Sequence, residues 1–304
     1  MNRPTPALYT VVSRSFAALP RAVLQVTART LGFVLFNVLQ VRRRVVLDNL
    51  SIALAASAPA TRARVGRAAM HSFLLTFFES LAAGSRDLAS TVEVQGREHL
   101  EAARAQGKGV LILCIHMGNW EALAAAVSRQ VAPTHVVVKR VGKGAFDRFV
   151  AWSRARAGYD AIRNDGSGST ARAIFRALRA NEIVGFVMDQ YQPGAPYVPC
   201  FGVPTRTNTG LATIWRRTDA PVVPVTTRRV GVHRHVAQVW PALTLPRTDD
   251  AAADVLEATR RFNQVMEKMI LENPEQYFWM HDRWKRRRAA RSGSARGLGL
   301  VQLG

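Results

Sequence analysis

The spacing of apolar positions divides the chain into two textures. Over 61–83, Phe73, Phe77, Phe78 and Leu81 recur three and four residues apart, as on one helix face, and Gly84 is placed to stop the helix. From residue 91 short apolar runs alternate with helical stretches. The run 110–115 (VLILCI) has no polar interruption, as expected of a strand covered on both faces, and 183–188 (IVGFVM) repeats the pattern. The periodicity predicts helices over 121–131, 144–157, 170–180, 208–217 and 250–271, and strands over 134–138, 222–227 and 233–240. Segment 189–207, rich in proline and glycine, reads as one long loop, and loops of that length in compact domains are often functional. The alternation predicts an α/β fold with a mostly parallel central sheet flanked by helices.

The first fifty residues differ. Their longest uncharged stretch, 30–41 (TLGFVLFNVLQV), lies between Arg29 and the cluster Arg42, Arg43 and Arg44. Crossing a bilayer takes roughly 20 apolar residues, so this stretch is too short to span alone. No small-residue cleavage site follows it, which argues against a cleaved signal peptide. An apolar helix between arginines fits an interfacial anchor, and equally an ordinary core helix with basic ends. We expect a membrane-associating helical segment over 1–60, a folded domain over 61–285 and a basic, disordered tail over 286–304.

Composition narrows the classes. With 304 residues, 48% of them hydrophobic, the chain can bury a sizeable core; charged residues stop at 21% and glycine has no period, which excludes disorder and collagen. Cys114 and Cys200 cannot make a disulfide framework, so a reducing compartment is expected. Lys and Arg number 42 against 21 Asp and Glu, a net charge of +21 that calls for something anionic: nucleic acid, anionic lipid or an acidic protein. The nucleic-acid alternative rests on this charge and on the arginine tail. No zinc-finger spacing, helix-turn-helix or aromatic RNA motif accompanies it, and we expect no nucleic-acid partner.

The sharpest local signal is Ile115-His116-Met117-Gly118-Asn119-Trp120-Glu121. His116 falls where the buried strand should end, Gly118 opens the turn, and Glu121 sits in the first turns of the next helix. A carboxylate five residues after a histidine across such a turn can fix the imidazole tautomer, leaving the other nitrogen to take a proton. The same residues also suit a histidine capping the helix and a glutamate favoured by the helix dipole.

The stretch 107–121 (GKGVLILCIHMGNWE) resembles the bacterial lipid A biosynthesis acyltransferases, within the wider lysophospholipid acyltransferase superfamily with its His-x4-Asp/Glu signature. Segments 42–54 (RRRVVLDNLSIAL), 154–158 (RARAG), 188–190 (MDQ), 221–225 (PVVPV) and 274–285 (PEQYFWMHDRWK) agree in order. The usual N-terminal spanning helix is weakened here, and the arginine tail carries more charge than the family requires. The resemblance implies a glycerolphosphate-acyltransferase-like fold and transfer of an acyl chain from a thioester to a hydroxyl of a lipid acceptor, a lipid A precursor or another lipid. The donor would be acyl carrier protein or acyl-coenzyme A, with no metal or other cofactor, at the cytoplasmic face of a bacterial inner membrane. His116 would be the general base and Glu121 its orienting partner. Asn119, Arg154, Asp189 and Gln190 would contact substrate, Arg154 steadying an oxyanion or a phosphate.

Other residues carry plainer readings. Cys114 shares a strand face with His116, and a small buried thiol is favoured over an acyl-cysteine. His233 and His235 share a face without a carboxylate or cysteine and amid Arg228, Arg229 and Arg234, so a solvated basic face is expected rather than a metal site. Asp189 is either a ligand-facing residue at a strand's carboxyl end or a loop cap. Tyr277, Phe278, Trp279 and Trp284 are expected to pack the C-terminus.

Overall fold

A proline at the first helical position forfeits no helix hydrogen bond, and Pro59 opens a helix of 24 residues in this way. The computed structural model describes residues 7–139, 144–164 and 168–285. Its N-terminal part is helical: α1 (Ala7–Ala18), α2 (Arg21–Phe33), α3 (Arg43–Ala53) and α4 (Pro59–Ala82). Helix α2 continues into a π-helical turn at Val34–Val38, and the chain then bends by 89° before α3. No single described helix is long and apolar enough to cross a membrane; the bent pair Arg21–Val38 and Arg43–Ala53 meets that length and composition jointly. The 30–41 stretch is divided: Phe36 is fully buried, while Phe33, Val38 and Leu39 are exposed.

The second part alternates as the sequence predicts. It comprises β1 (Val92–Gln95), α5 (Arg97–Arg104), β2 (Val110–Cys114), α6 (Trp120–Gln130), β3 (Thr134–Val138), α7 (Ala145–Arg156), β4 (Asp160–Arg163), α8 (Gly168–Arg179) and β5 (Ile183–Val187). After these come β6 (Tyr197–Cys200), β7 (Val203–Arg206), α9 (Gly210–Thr218), β8 (Val222–Gly231), β9 (Arg234–Val239) and α10 (Ala251–Glu272). Seven strands form one sheet in the order β1-β9-β8-β2-β5-β3-β4, in which β8 and β9 are antiparallel and every other pair is parallel.

Strand β2 lies at the centre, with every residue buried. Side chains alternate across a strand, so Leu111 and Leu113 pack with α8, α9 and α10 while Val110, Ile112 and Cys114 pack with α5 and α6. Phe36, Val46 and Leu50 join the first of these cores, which ties the N-terminal helices into the same body as the sheet.

Two expectations change. The segment 189–207 is not one loop, because it contains the antiparallel pair β6 and β7, with Val198 opposite Thr205 and Pro199 opposite Pro204. The prolines hid it; in a two-stranded ribbon both strands are edges, where proline is tolerated. His233 and His235 are not on a solvated face either: both are buried, for a reason given below. The tail at 286–304 lies outside the described residues.

Candidate active site

The sheet register assembles the site. Strands β2 and β5 run in parallel with Cys114 opposite Val187, so the chains leave the sheet side by side. Two residues beyond each strand end stand His116 and Asp189. The Asp189 carboxylate bonds His116 Nδ1 at 2.8 Å and accepts from the His116 backbone N–H at 3.2 Å. With Nδ1 committed to Asp189, the basic lone pair of a neutral ring lies on Nε2. Burial raises the Asp189 carboxyl, but the His116 charge, hydrogen bonds from His116 and one from Tyr277 outweigh it and hold Asp189 below the ordinary carboxylate range.

The turn carrying His116 is clamped from three sides. Gly118 has φ +56°, and a Cβ there would stand 2.4 Å from the Thr227 carbonyl oxygen, so only glycine fits. Its carbonyl accepts from Thr76 Oγ1 of α4 at 2.6 Å, and its N–H donates to the Gln276 carbonyl. Phe278 N–H donates to the His116 carbonyl, so the C-terminal segment after α10 runs along the turn as a strap. Arg283, buried, secures that strap through the carbonyls of Gln190 and Arg206. Tyr277, Trp279 and Trp284 pack as expected, whereas Phe278 reaches the site, its ring 6.0 Å from that of His116. Trp120 meets the same imidazole edge-on at 5.1 Å.

Glu121 does not orient His116. Its carboxylate takes a two-pronged ion pair from Arg154, Nε to Oε2 at 2.9 Å and Nη2 to Oε1 at 2.6 Å, and a hydrogen bond from the Tyr159 hydroxyl. The helix geometry explains this: Glu121, one residue into α6, faces α7 and the start of β4, while Asp189 already occupies Nδ1. Burial opposes ionisation of Glu121, but Arg154 and the hydrogen bonds prevail and keep it below the usual range. A guanidinium has five N–H donors, so this pair leaves Arg154 with donors to spare.

Two cavities meet at these residues. One, of about 310 Å³, lies between α6 and the sheet; Ile112, Cys114, Leu123, Val127, Val136 and Gly185 give it apolar walls. The other, of about 390 Å³, lies between α4 and α7 and is walled by Phe73, Phe77, Phe146, Phe149 and Phe278. His116, Trp120, Glu121, Arg154, Tyr159 and Gln190 line both.

Asn119, expected to touch substrate, lines neither cavity. It is fully buried, its Oδ1 capping α6 at Ala122 N–H and its Nδ2 donating to Glu79. Both faces of its amide are thereby used within the fold. Cys114 is a buried thiol in the cavity wall, pushed up to about 12 by burial and by Asp189, which leaves it a poor nucleophile. Tyr159 is not singled out by the sequence; it is buried just before the exposed start of β4, where no periodicity marks it. Among the described residues, no group of three or more His, Cys, Asp or Glu side chains is arranged to hold a metal ion.

Comparison with known proteins gives the family. Residues 3–286 match the family model described as bacterial lipid A biosynthesis acyltransferase. The chain is 31% identical over 207 residues to the lipid A biosynthesis lauroyltransferase of Escherichia coli K12, an alignment covering 66% of this chain and 64% of that protein. It is 25% identical over 198 residues to the palmitoleoyltransferase of the same organism, covering 64% and 62%. A phosphatidylinositol mannoside acyltransferase of Mycobacterium tuberculosis is 25% identical over 195 residues, covering 63% and 59%. The chain thus aligns with under two thirds of the length of each of these relatives. Since the family match takes in the four N-terminal helices, the whole sheet, the His116 turn and the strap, the chain belongs to the bacterial lipid A biosynthesis acyltransferase family.

Proposed function

We propose that the protein transfers a fatty acyl chain from a thioester donor to a hydroxyl of a lipid acceptor, with a lipid A precursor as the acceptor class. The observation that carries this reading is the meeting of two apolar cavities at His116, whose imidazole Asp189 holds from behind. Transfer of an acyl chain from a thioester to a lipid acceptor has two hydrocarbon chains to shelter and one proton to move. The cavity between α6 and the sheet suits the donor's acyl chain, and the aromatic cavity suits a chain of the acceptor.

In this mechanism His116 Nε2 takes the acceptor hydroxyl's proton as the oxygen attacks the thioester carbonyl. Asp189 steadies the imidazolium that results. The tetrahedral intermediate collapses, breaking the C–S bond, and the proton passes from His116 to the departing thiolate. Arg154, held by Glu121, offers its remaining N–H groups to the developing oxyanion or to an acceptor phosphate. Gln190 lines both cavities beside them. A thioester is already activated, so no covalent enzyme intermediate is required.

The charge of +21 supports an acidic acyl carrier protein as donor and an anionic membrane surface as support, and the exposed Phe33, Val38 and Leu39 beside Arg42, Arg43 and Arg44 suit a peripheral attachment to the cytoplasmic face of the inner membrane. The test presents acyl carrier protein and coenzyme A thioesters to the purified protein with a lipid A precursor, a mannosylated phosphatidylinositol or a lysophospholipid, and reads products by mass spectrometry. Acylation of the lipid A precursor is expected. Acylation of another lipid alone would transfer the reading to that acceptor, and no acylation with any pair would overturn it. Salt should release a share of the protein from anionic vesicles; resistance to both salt and alkaline carbonate would overturn the peripheral attachment.

A further inference from the structure

Behind the 116–119 turn, away from both cavities, lies another buried charge. Thr76 and Ser80 of α4 line the aromatic cavity, whereas Glu79, 1% exposed, is turned toward the β8–β9 hairpin. Its carboxylate pairs with Arg229 Nη1 and accepts from the His233 backbone N–H at 3.0 Å. His235 Nε2 lies 3.2 Å away, and Asn119 Nδ2 donates to it at 2.8 Å. This is why the two histidines are buried.

Two of these contacts, those with Asn119 and Arg229, lead back to the turn. Asn119 is the cap that starts α6. Arg229 Nη2 donates to Thr76 Oγ1, which itself donates to the Gly118 carbonyl. The backbone of Arg229 is gripped by the Gln276 side chain at 2.6 Å and 3.0 Å, and the Gln276 carbonyl receives Gly118 N–H. A buried ion pair is weak support for stability, since well-packed apolar residues of the same volume often serve as well or better. Its distinctive property is direction, and here the Asn119 and Arg229 branches converge on the four residues of the turn. We propose that Glu79 is a positioning residue for acyl transfer: through Asn119 directly, and through Arg229 and Thr76, it fixes the turn that aims the His116 imidazole. The proposal rests on the reading of His116 as the base.

The test is a reversal of hydrogen-bond polarity. Glu79→Gln keeps the shape, but one amide cannot accept from both Asn119 and the Arg229–His233 side. We expect turnover to fall about tenfold or more with KM for both substrates within roughly twofold, because misplacing a catalytic group acts on kcat and Glu79 touches neither cavity. In the double variant Glu79→Gln/Asn119→Asp, the introduced aspartate can still cap α6 and can accept from the introduced amide, at unchanged net charge. Its turnover should return to within about threefold of the parent. Parental kcat in Glu79→Gln, a loss confined to KM, or a folded double variant without recovery would each overturn the proposal. If Glu79→Gln does not fold, Thr76→Val reads the same brace: reduced kcat supports it and parental kcat overturns it. His116→Ala, assayed alongside, keeps the two claims apart. Full turnover there removes the base itself, whereas a Glu79 result with His116→Ala inactive speaks only to positioning.

Discussion

On one side of the 116–119 turn, Asp189 and Glu121 are buried carboxylates paired with His116 and Arg154; on the other, Glu79 is a buried carboxylate paired with Arg229. In all three burial works against the charge, and in all three the partners win and hold the group below its usual range. By electrostatics the two sides are alike. They differ in what adjoins them: the Asp189 side opens through His116 onto two cavities, while Glu79 is sealed among α4, the hairpin and the turn. A perturbed carboxylate therefore does not mark a reactive site by itself. The void beside it does.

The comparison is broken most severely at His116. His116→Ala should lower turnover by about 10²- to 10⁴-fold, the range for loss of a positioned general base. Near-parental rates would remove the distinction between the two sides. Asp189→Asn should follow, with a loss on the order of 10²-fold or more, since the amide can no longer both accept from Nδ1–H and stabilise an imidazolium. Single-turnover assays with saturating donor measure both.

Arg154 sharpens the comparison within the open side. Arg154→Lys keeps the charge but loses the planar fork that grips Glu121 at two points, and we expect about a tenfold loss of kcat/KM. Steady-state kinetics check it. A loss in acceptor KM alone points to phosphate binding, one in kcat to the oxyanion, and unchanged kinetics return Arg154 to structural service.

How much of this was legible in the sequence depended on distance along the chain. The His116 turn, the buried strands and the helix carrying Glu121 are local, and periodicity found them. The partnership of His116 with Asp189 spans 73 residues and exists because β2 and β5 pair with Cys114 opposite Val187. Both residues follow a buried strand by the same offset, a signal present in the sequence that yields for Asp189 only a ligand position or a loop cap. Glu121, five residues from His116, was expected at the Nδ1 position that Asp189 occupies, because the strand partner was not assigned. Glu79 interrupts the apolar run around Phe77 and Phe78, and His233 with His235 stood near no carboxylate in sequence; only the packing of α4 on the hairpin joined them.

The smallest expected effect lies on the sealed side. Burial is the largest cause lowering His233 from 6.5 to about 4. The unfolded chain therefore binds this proton first as pH falls, so the contribution to stability is complete above about pH 6.5 and declines toward pH 4. Thermal melts should show a falling transition temperature across that window, and His233→Asn should make the decline shallower. A parallel curve for the variant would show that His233 does not carry it.

The central claim is that His116 and Asp189 act as one proton-handling unit at the junction of the two cavities. Residual turnover measured for Asp189→Asn in the parent and in the His116→Ala background tests it most directly. Partners in a unit are not additive, so the account predicts a loss on the order of 10²-fold in the parent and less than about threefold once His116 is gone. An equal loss in both backgrounds would contradict it.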